Sequence, residues 1–490
     1  MAVNRCAAHC SCHSLLSRRT FLSTAAGAAG AVLVGGCGPA ALEPSPAPIR
    51  LNGPASKLSP SIRAAFVRRK GEYGMRWPGA VYDGEAARKL YTDKLNQAAA
   101  AARARIDVRP EPLYSLAETD AWLASASADK VDGVVLVLLD RQEHAWPSAA
   151  KTIDSGIPAV IYSPLGTSFT TNTTPLADKT GCVIYCTDDF SQPAYGIKML
   201  AARARMKATR CVVLRGAKRQ EGVLADTGIS LQYVPASTFL EVYNGIPEND
   251  EVRAIADQYI RRARRLGGGA SHQDVLNGVR AYVTARRILQ DEQADAITMD
   301  CLGALGKSKV SLPCIAWSRM NDEGVPAACE ADLGAVASHV MVQYLFDRPG
   351  FQQDPVAETA REAVIGAHCS CPTRLNGFDQ PGEPFDLLHH HGNRDAVPRT
   401  LWRVGGPITV LDVLPGAKDK PTELIISSGQ TIENLDVPPA GGCVVSVMVK
   451  LDGVREVLSY PGFHQLFFYG NYRRELADFC RLCKFQAQVV

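Results

Sequence analysis

The chain has 490 residues, a formal net charge of +3, 46% hydrophobic and 21% charged residues, 10 His and 15 Cys. These averages exclude collagen-like, wholly disordered and supercharged chains, and the length suits about three domains. So small a charge gives no electrostatic case for a nucleic-acid partner. The basic cluster Arg261, Arg262, Arg264 and Arg265 reads as a solvated helix face. No apolar run approaches the roughly 20 residues needed to span a bilayer.

At the amino terminus, Arg18 and Arg19 precede a weakly apolar Ala/Gly-rich run that closes in Val34-Gly35-Gly36-Cys37. This order resembles a twin-arginine export signal ending in a lipobox, with Cys37 as the lipidation site. It predicts a signal over 1–37 and a Pro-rich tether over 38–60 that stays out of the fold. The expected location is periplasmic or membrane-anchored, and cytoplasmic where the signal is not used. His9, Cys10, Cys12 and His13 fall in the part to be removed.

From about residue 60 helical and apolar stretches alternate. Helices over Glu85–Arg105 and Glu118–Ala128 lead to a strand at Gly133–Leu139, and a further helix leads to one at Ile157–Tyr162. Such alternation predicts a parallel sheet covered on both faces, a first Rossmann-like or flavodoxin-like domain over 61–175. The pattern resumes with a strand at Cys182–Cys186, a helix at Ala194–Arg205 and a strand at Cys211–Arg215. Helices over Glu251–Leu266 and His272–Gln290 then precede strands at Ala296–Met299 and Cys314–Trp317, giving a second such domain over 176–345. No Gly-x-Gly-x-x-Gly follows any strand, and Gly267-Gly268-Gly269 reads as a helix C-cap and turn, so no dinucleotide is expected.

Beyond residue 400 strands separated by turns (Ile408–Leu414, Glu423–Ser427, Cys443–Leu451) indicate an antiparallel barrel or sandwich, completing a third, β-rich domain over 346–490. The body cysteines are scattered in apolar runs, as buried free thiols are. Cys369/Cys371 and Cys480/Cys483 have the spacing of zinc or redox pairs, but no second pair completes a zinc pattern. His389-His390-His391 reads as an exposed loop or cleft lining ahead of direct ligation. Tyr469 and Arg473 read equally as cleft lining and as helix start and surface charge.

Three segments concentrate hard ligands: Cys329-Glu330-Ala331-Asp332 before an amphipathic helix, Gln353-Asp354-Pro355, and Gly366-Ala367-His368-Cys369. Singly, Glu330 and Asp332 suit first-turn carboxylates and Asp354 a turn cap. Together, and with Gly462-Phe463-His464-Gln465-Leu466 and the block from Tyr469 to Leu476, they resemble the L-fucose/L-arabinose isomerase family of aldose–ketose isomerases, in a divergent form. The resemblance covers about 130–490 and is strongest from about 325.

The resemblance implies two Rossmann-like domains followed by an antiparallel β-barrel, with a metal site between the second and third. It implies Glu330, Asp354 and His464 as metal ligands and His368 as a further ligand or a donor behind the ligands. Glu330 and Asp354 would share proton transfer. Such donors suit Mn²⁺, with Mg²⁺ or Co²⁺ as alternatives. The implied partner is a small uncharged sugar in a homo-oligomer. The competing expectation is an exported sugar-binding lipoprotein, which leaves the β-rich last third without a purpose.

Overall fold

The computed structural model describes residues 49, 51–71, 83–141, 143–390, 394–417, 420–436 and 443–490. The arginine pair, Cys37 and the amino-terminal Cys and His residues lie outside the described residues.

The first sheet is built from β1 (Ser61–Val67), β2 (Arg105–Val108), β3 (Gly133–Leu138), β4 (Ala159–Ser163) and β5 (Cys182–Cys186), all parallel, in the order β2-β1-β3-β4-β5. This is the flavodoxin-type order. All six residues of β3 are buried, which is why that strand reads as continuous apolar sequence rather than an alternation. Helix Gly84–Ala101 starts at Asp83, whose carboxylate accepts the Glu85 and Ala86 amides. Strand β5 pairs with β4, so the first sheet extends past the boundary expected at residue 175.

The second sheet contains β6 (Arg210–Leu214), β7 (Gln220–Val223), β8 (Ser230–Val234), β9 (Ala296–Met299) and β10 (Ala327–Cys329) in the order β10-β9-β6-β8-β7. All pairings are parallel except that of the edge strand β7 with β8. The segment expected as a strand at Cys314–Trp317 is instead the start of helix Cys314–Asp322, every residue of which is buried. A helix buried all round has no polar stripe, so a short apolar run alone could not tell it from a strand. The strand that completes the sheet is the three-residue β10.

Two further expectations change. Residues 51–60 are not a free tether: the short helix Pro54–Lys57 docks on the body, and the Ala55 and Ser56 amides donate to the buried Asp295 carboxylate at 3.1 and 2.9 Å. Those first-turn amides have no acceptor within so short a helix, and Asp295 supplies one. The helix expected to run to Leu266 ends at Arg262, so Arg264 and Arg265 lie beyond it. They stay exposed to solvent, as expected, and also reach the buried Asp386, 1% exposed, at 3.7 and 3.1 Å.

The third region contains β11 (Phe351–Glu358), β12 (Ala363–His368), the hairpin β13 (Phe385–His390) and β14 (Arg394–Thr400), β15 (Pro407–Leu414), β16 (Glu423–Asn434), β17 (Val445–Leu451), β18 (Gln465–Tyr469) and β19 (Gln486–Val489). Six of these strands close an antiparallel barrel in the order β15-β18-β11-β12-β17-β16, the ring completed by β16 against β15. Strand β19 adds to β16 in parallel. Helix Leu333–Phe346, buried along nearly its whole length, links the second sheet to this barrel and packs against β15. Its Ser338 hydroxyl accepts the Val413 amide at 3.1 Å. Among the described residues no helix is long and apolar enough to cross a membrane.

Candidate metal centre

Strand β10 ends at Cys329, and the chain then turns through Glu330 (φ 62°) and Ala331 (φ 55°) before entering helix Leu333–Phe346. Two successive side-chain-bearing residues in the left-handed region are costly, on the order of 1–3 kcal/mol each. The turn is held by the Ala331 amide on the Met299 carbonyl at 2.9 Å and the Asp332 amide on the Cys329 carbonyl at 3.2 Å. The buried Gln352 side chain accepts the Cys329 amide at 2.8 Å. Asp332 caps the helix by accepting the Ala335 amide at 2.8 Å.

The barrel supplies the opposing groups through its register. Gln353 of β11 pairs with Gln465 of β18, so one further step brings Asp354 opposite His464. Asp354 also pairs with Ala367 of β12, which places His368 beside the same point. Asp354 is therefore a mid-strand residue and not a turn cap. His464 has φ 53° and follows Gly462 at φ 89°, whose added Cβ would meet the Asp412 carboxylate at 2.5 Å. That carboxylate accepts the Phe463 amide at 3.0 Å.

These elements bring Glu330, His368 and His464 together, with one donor atom of each within 4.8 Å of the others. His368 Nε2 lies 3.8 Å from Glu330 Oε1, and His464 Nε2 lies 3.6 Å from Glu330 Oε2 and 3.2 Å from Asp354 Oδ1. Ligands at about 2.1 Å from one ion and at right angles are about 3 Å apart, so these spacings suit a small divalent cation. Both histidines are buried, whereas the Glu330 and Asp354 side chains are about one-third exposed and open toward solvent. His464 Nε2 and Asp354 Oδ1 are shielded from water, and neither has a well-directed hydrogen bond.

The electrostatics also call for positive charge. Glu330, Asp332 and Asp354 surround one imidazole. Burial works against a charged His464 ring, but its bond to Asp332 and the nearby Asp354 carboxylate outweigh that and lift its pKa to about 10. Burial raises the Glu330 carboxyl above its ordinary value, against the opposing pull of His464. A cation among the same carboxylates would take the place of that imidazolium proton. The donors are carboxylate oxygen and imidazole nitrogen, a hard set. The Cys329 thiol points instead to the Ser370 hydroxyl at 3.1 Å, and burial pushes its pKa up.

All four residues expected as ligands are therefore neighbours, and three contributors were missed. Asp332 stood in the sequence as a first-turn carboxylate, yet it also binds His464 Nδ1 at 2.9 Å. Asp412 interrupts an otherwise apolar strand run, a signal that could have marked it. Burial lifts its pKa to about 6. His339 follows the apolar face of its helix and left no mark in the pattern. It is 1% exposed beside Gln352 and His368, and burial lowers its pKa to about 3, keeping the ring neutral.

Other expected site residues lie elsewhere. His389 sits in β13 with Nε2 3.3 Å from Asp274, and His391 is outside the described residues. Tyr469 is buried and its hydroxyl accepts the Arg403 amide at 2.7 Å, a core role, while Arg473 opens helix Arg473–Cys483. Compared with known proteins, the chain matches no protein-family model and no curated protein sequence.

Proposed function

We propose that this chain is a metal-dependent aldose–ketose isomerase that moves a sugar carbonyl between C1 and C2 through an ene-diolate. The observation that carries the reading is the convergence of Glu330, Asp354, His368 and His464, drawn from the turn after β10, from β11 and β12, and from the residue before β18. These four would hold a divalent cation, Mn²⁺ in our reading with Mg²⁺ or Co²⁺ as alternatives. Once bound, the ion supplies positive charge to the substrate oxygens at C1 and C2.

The chain's own groups divide the remaining work. Glu330 and Asp354, partly open to solvent, can reach substrate while facing the ion. One takes the proton from C2 of the aldose and returns it to C1, and the other moves the proton between the two oxygens. Burial, by raising the Glu330 carboxyl, brings it closer to the range in which a group both accepts and returns a proton near neutrality. His464, fixed by Asp332, and His368, enclosed by the barrel, keep the donor set in place. The near-neutral chain suits an uncharged sugar. On the same reading the protein is an exported homo-oligomer whose membrane contact is a lipid on Cys37.

The test is conversion of a panel of pentoses and 6-deoxyhexoses with Mn²⁺, compared with Glu330→Gln and His464→Ala. We expect turnover that EDTA abolishes and that each substitution lowers by at least a hundredfold. Sugar binding indifferent to metal and to both substitutions, without turnover, would replace the isomerase with an exported sugar-binding protein.

A further inference from the structure

We infer that Phe463 is a substrate-contacting residue of the metal centre, its phenyl ring the platform on which the C–H face of the sugar lies. The inference rests on the reading that this centre takes a sugar. Phe463 directly precedes His464, and the two rings pack with centroids 4.6 Å apart and planes tilted by 35°. The histidine is buried, whereas Phe463 is 60% exposed. Leaving so large an apolar side chain in water forgoes the gain of burying it. The backbone nevertheless holds it there. Phe463 stands between Gly462 at φ 89° and His464 at φ 53°, and its amide donates to the buried Asp412 carboxylate at 3.0 Å. A side-chain-bearing residue in the left-handed region is strained, so this turn is specified by its surroundings.

Distance puts the ring within reach of what the centre binds. His464 Nε2 is 3.6 Å from Glu330 and 3.2 Å from Asp354, so the phenyl ring stands one imidazole away from both carboxylates. A five-carbon chain with C–C bonds of about 1.5 Å is about 5 Å long, enough for a sugar whose C1 and C2 oxygens face these ligands to reach Phe463. The apolar surface continues beside it. Val356 is exposed two residues beyond Asp354, on the same side of β11 by strand alternation, and the turn Val457–Ser459, which carries the exposed Leu458, packs against that strand. The hydroxyls of a sugar are polar, but its C–H bonds present weakly positive hydrogens that suit the negative face of an aromatic ring. The site thus offers hard, charged groups to the oxygens and an apolar wall to the carbons, and it selects sugars whose C–H bonds gather on one face.

The test is calorimetric binding of pentitols and 6-deoxyhexitols, sugar alcohols that cannot isomerise, to the Mn²⁺-loaded full chain, alongside turnover of the parent sugars. We expect Phe463→Ala to weaken alditol binding and raise KM about tenfold while kcat stays within about threefold. Mn²⁺ affinity should be unchanged, and Phe463→Tyr, which keeps the ring, should restore binding. Unchanged sugar affinity in Phe463→Ala would overturn the inference. So would a loss matched by weaker Mn²⁺ binding, which would show a ring that only shields His464. Alditol binding that depends on Phe463 without turnover would remove the isomerase reading and keep the inference, and turnover indifferent to Phe463 would do the reverse. Absence of binding to any sugar or alditol would remove both.

Discussion

Asp332 Oδ2 lies 2.9 Å from His464 Nδ1, joining the cap of helix Leu333–Phe346 to the residue just before β18. The bond fixes the ring so that Nε2 faces Glu330 and Asp354. Carboxylates behind ligating histidines typically account for 10–100-fold in metal affinity. Asp332→Asn retains an oxygen to cap the helix and loses the charge. We expect Mn²⁺ affinity to fall by that factor in calorimetry while thermal stability changes little.

Metal uptake should release a proton. With its pKa at about 10, His464 is charged at neutral pH, and binding through Nε2 displaces that proton. Apparent Mn²⁺ affinity is expected to rise about tenfold per pH unit from 6 to 9 and to level off near 10. Calorimetry in buffers of different ionisation enthalpy reads the released proton directly. Without metal, the raised pKa contributes stability that is full below the ordinary value of 6.5 and lost as pH rises through 10, so the melting temperature of metal-free protein should fall over that window.

Asp412 behaves in the opposite sense. Burial lifts its carboxyl from 3.8 to about 6, so the folded state disfavours its charge. That cost is present above pH 6 and vanishes as pH falls below 3.8. Asp412→Asn, which can still accept the Phe463 amide, should stabilise the protein at pH 8 by on the order of 2 kcal/mol and hardly at all at pH 4. Equal stabilisation at both pH values in urea titrations would contradict this account.

Asp386 is the shared acceptor for Arg264, Arg265 and Arg399 and is 1% exposed. Arg399 is itself buried, and its other carboxylate partner, Asp436, lies at the surface. Asp386→Asn should therefore destabilise by about 3 kcal/mol, the low end for breaking a buried ion pair because two of the arginines are half-exposed. Urea unfolding is the measurement.

Gly366 sits in β12 where an added Cβ would meet Phe467 at 2.5 Å and Gln353 at 2.9 Å. Gly366→Ala overpacks the barrel interior, and a loss of about 1–3 kcal/mol is expected in thermal unfolding. The glycine is thus required for packing in the same strand that carries His368.

The sequence by itself determined the α/β order and the closing β-rich region, because helix and strand periods are local, and it singled out Glu330, Asp354, His368 and His464, which the structure brings together. It misread Cys314–Trp317, where burial on every side erased the period, and it assigned β5 to the wrong sheet, because pairing leaves no trace within a five-residue apolar run. It also released residues 51–60 to solvent, although Asp295, some 240 positions away, captures their amides. What only the tertiary structure decided is pairing across distance. Asp332 orients a histidine 132 residues later, and Arg264 and Arg265 meet Asp386. The first depends on the docking of helix Leu333–Phe346 against the barrel and the second on the placement of the hairpin β13–β14, and non-local packing of that kind is not encoded in any window of neighbouring residues.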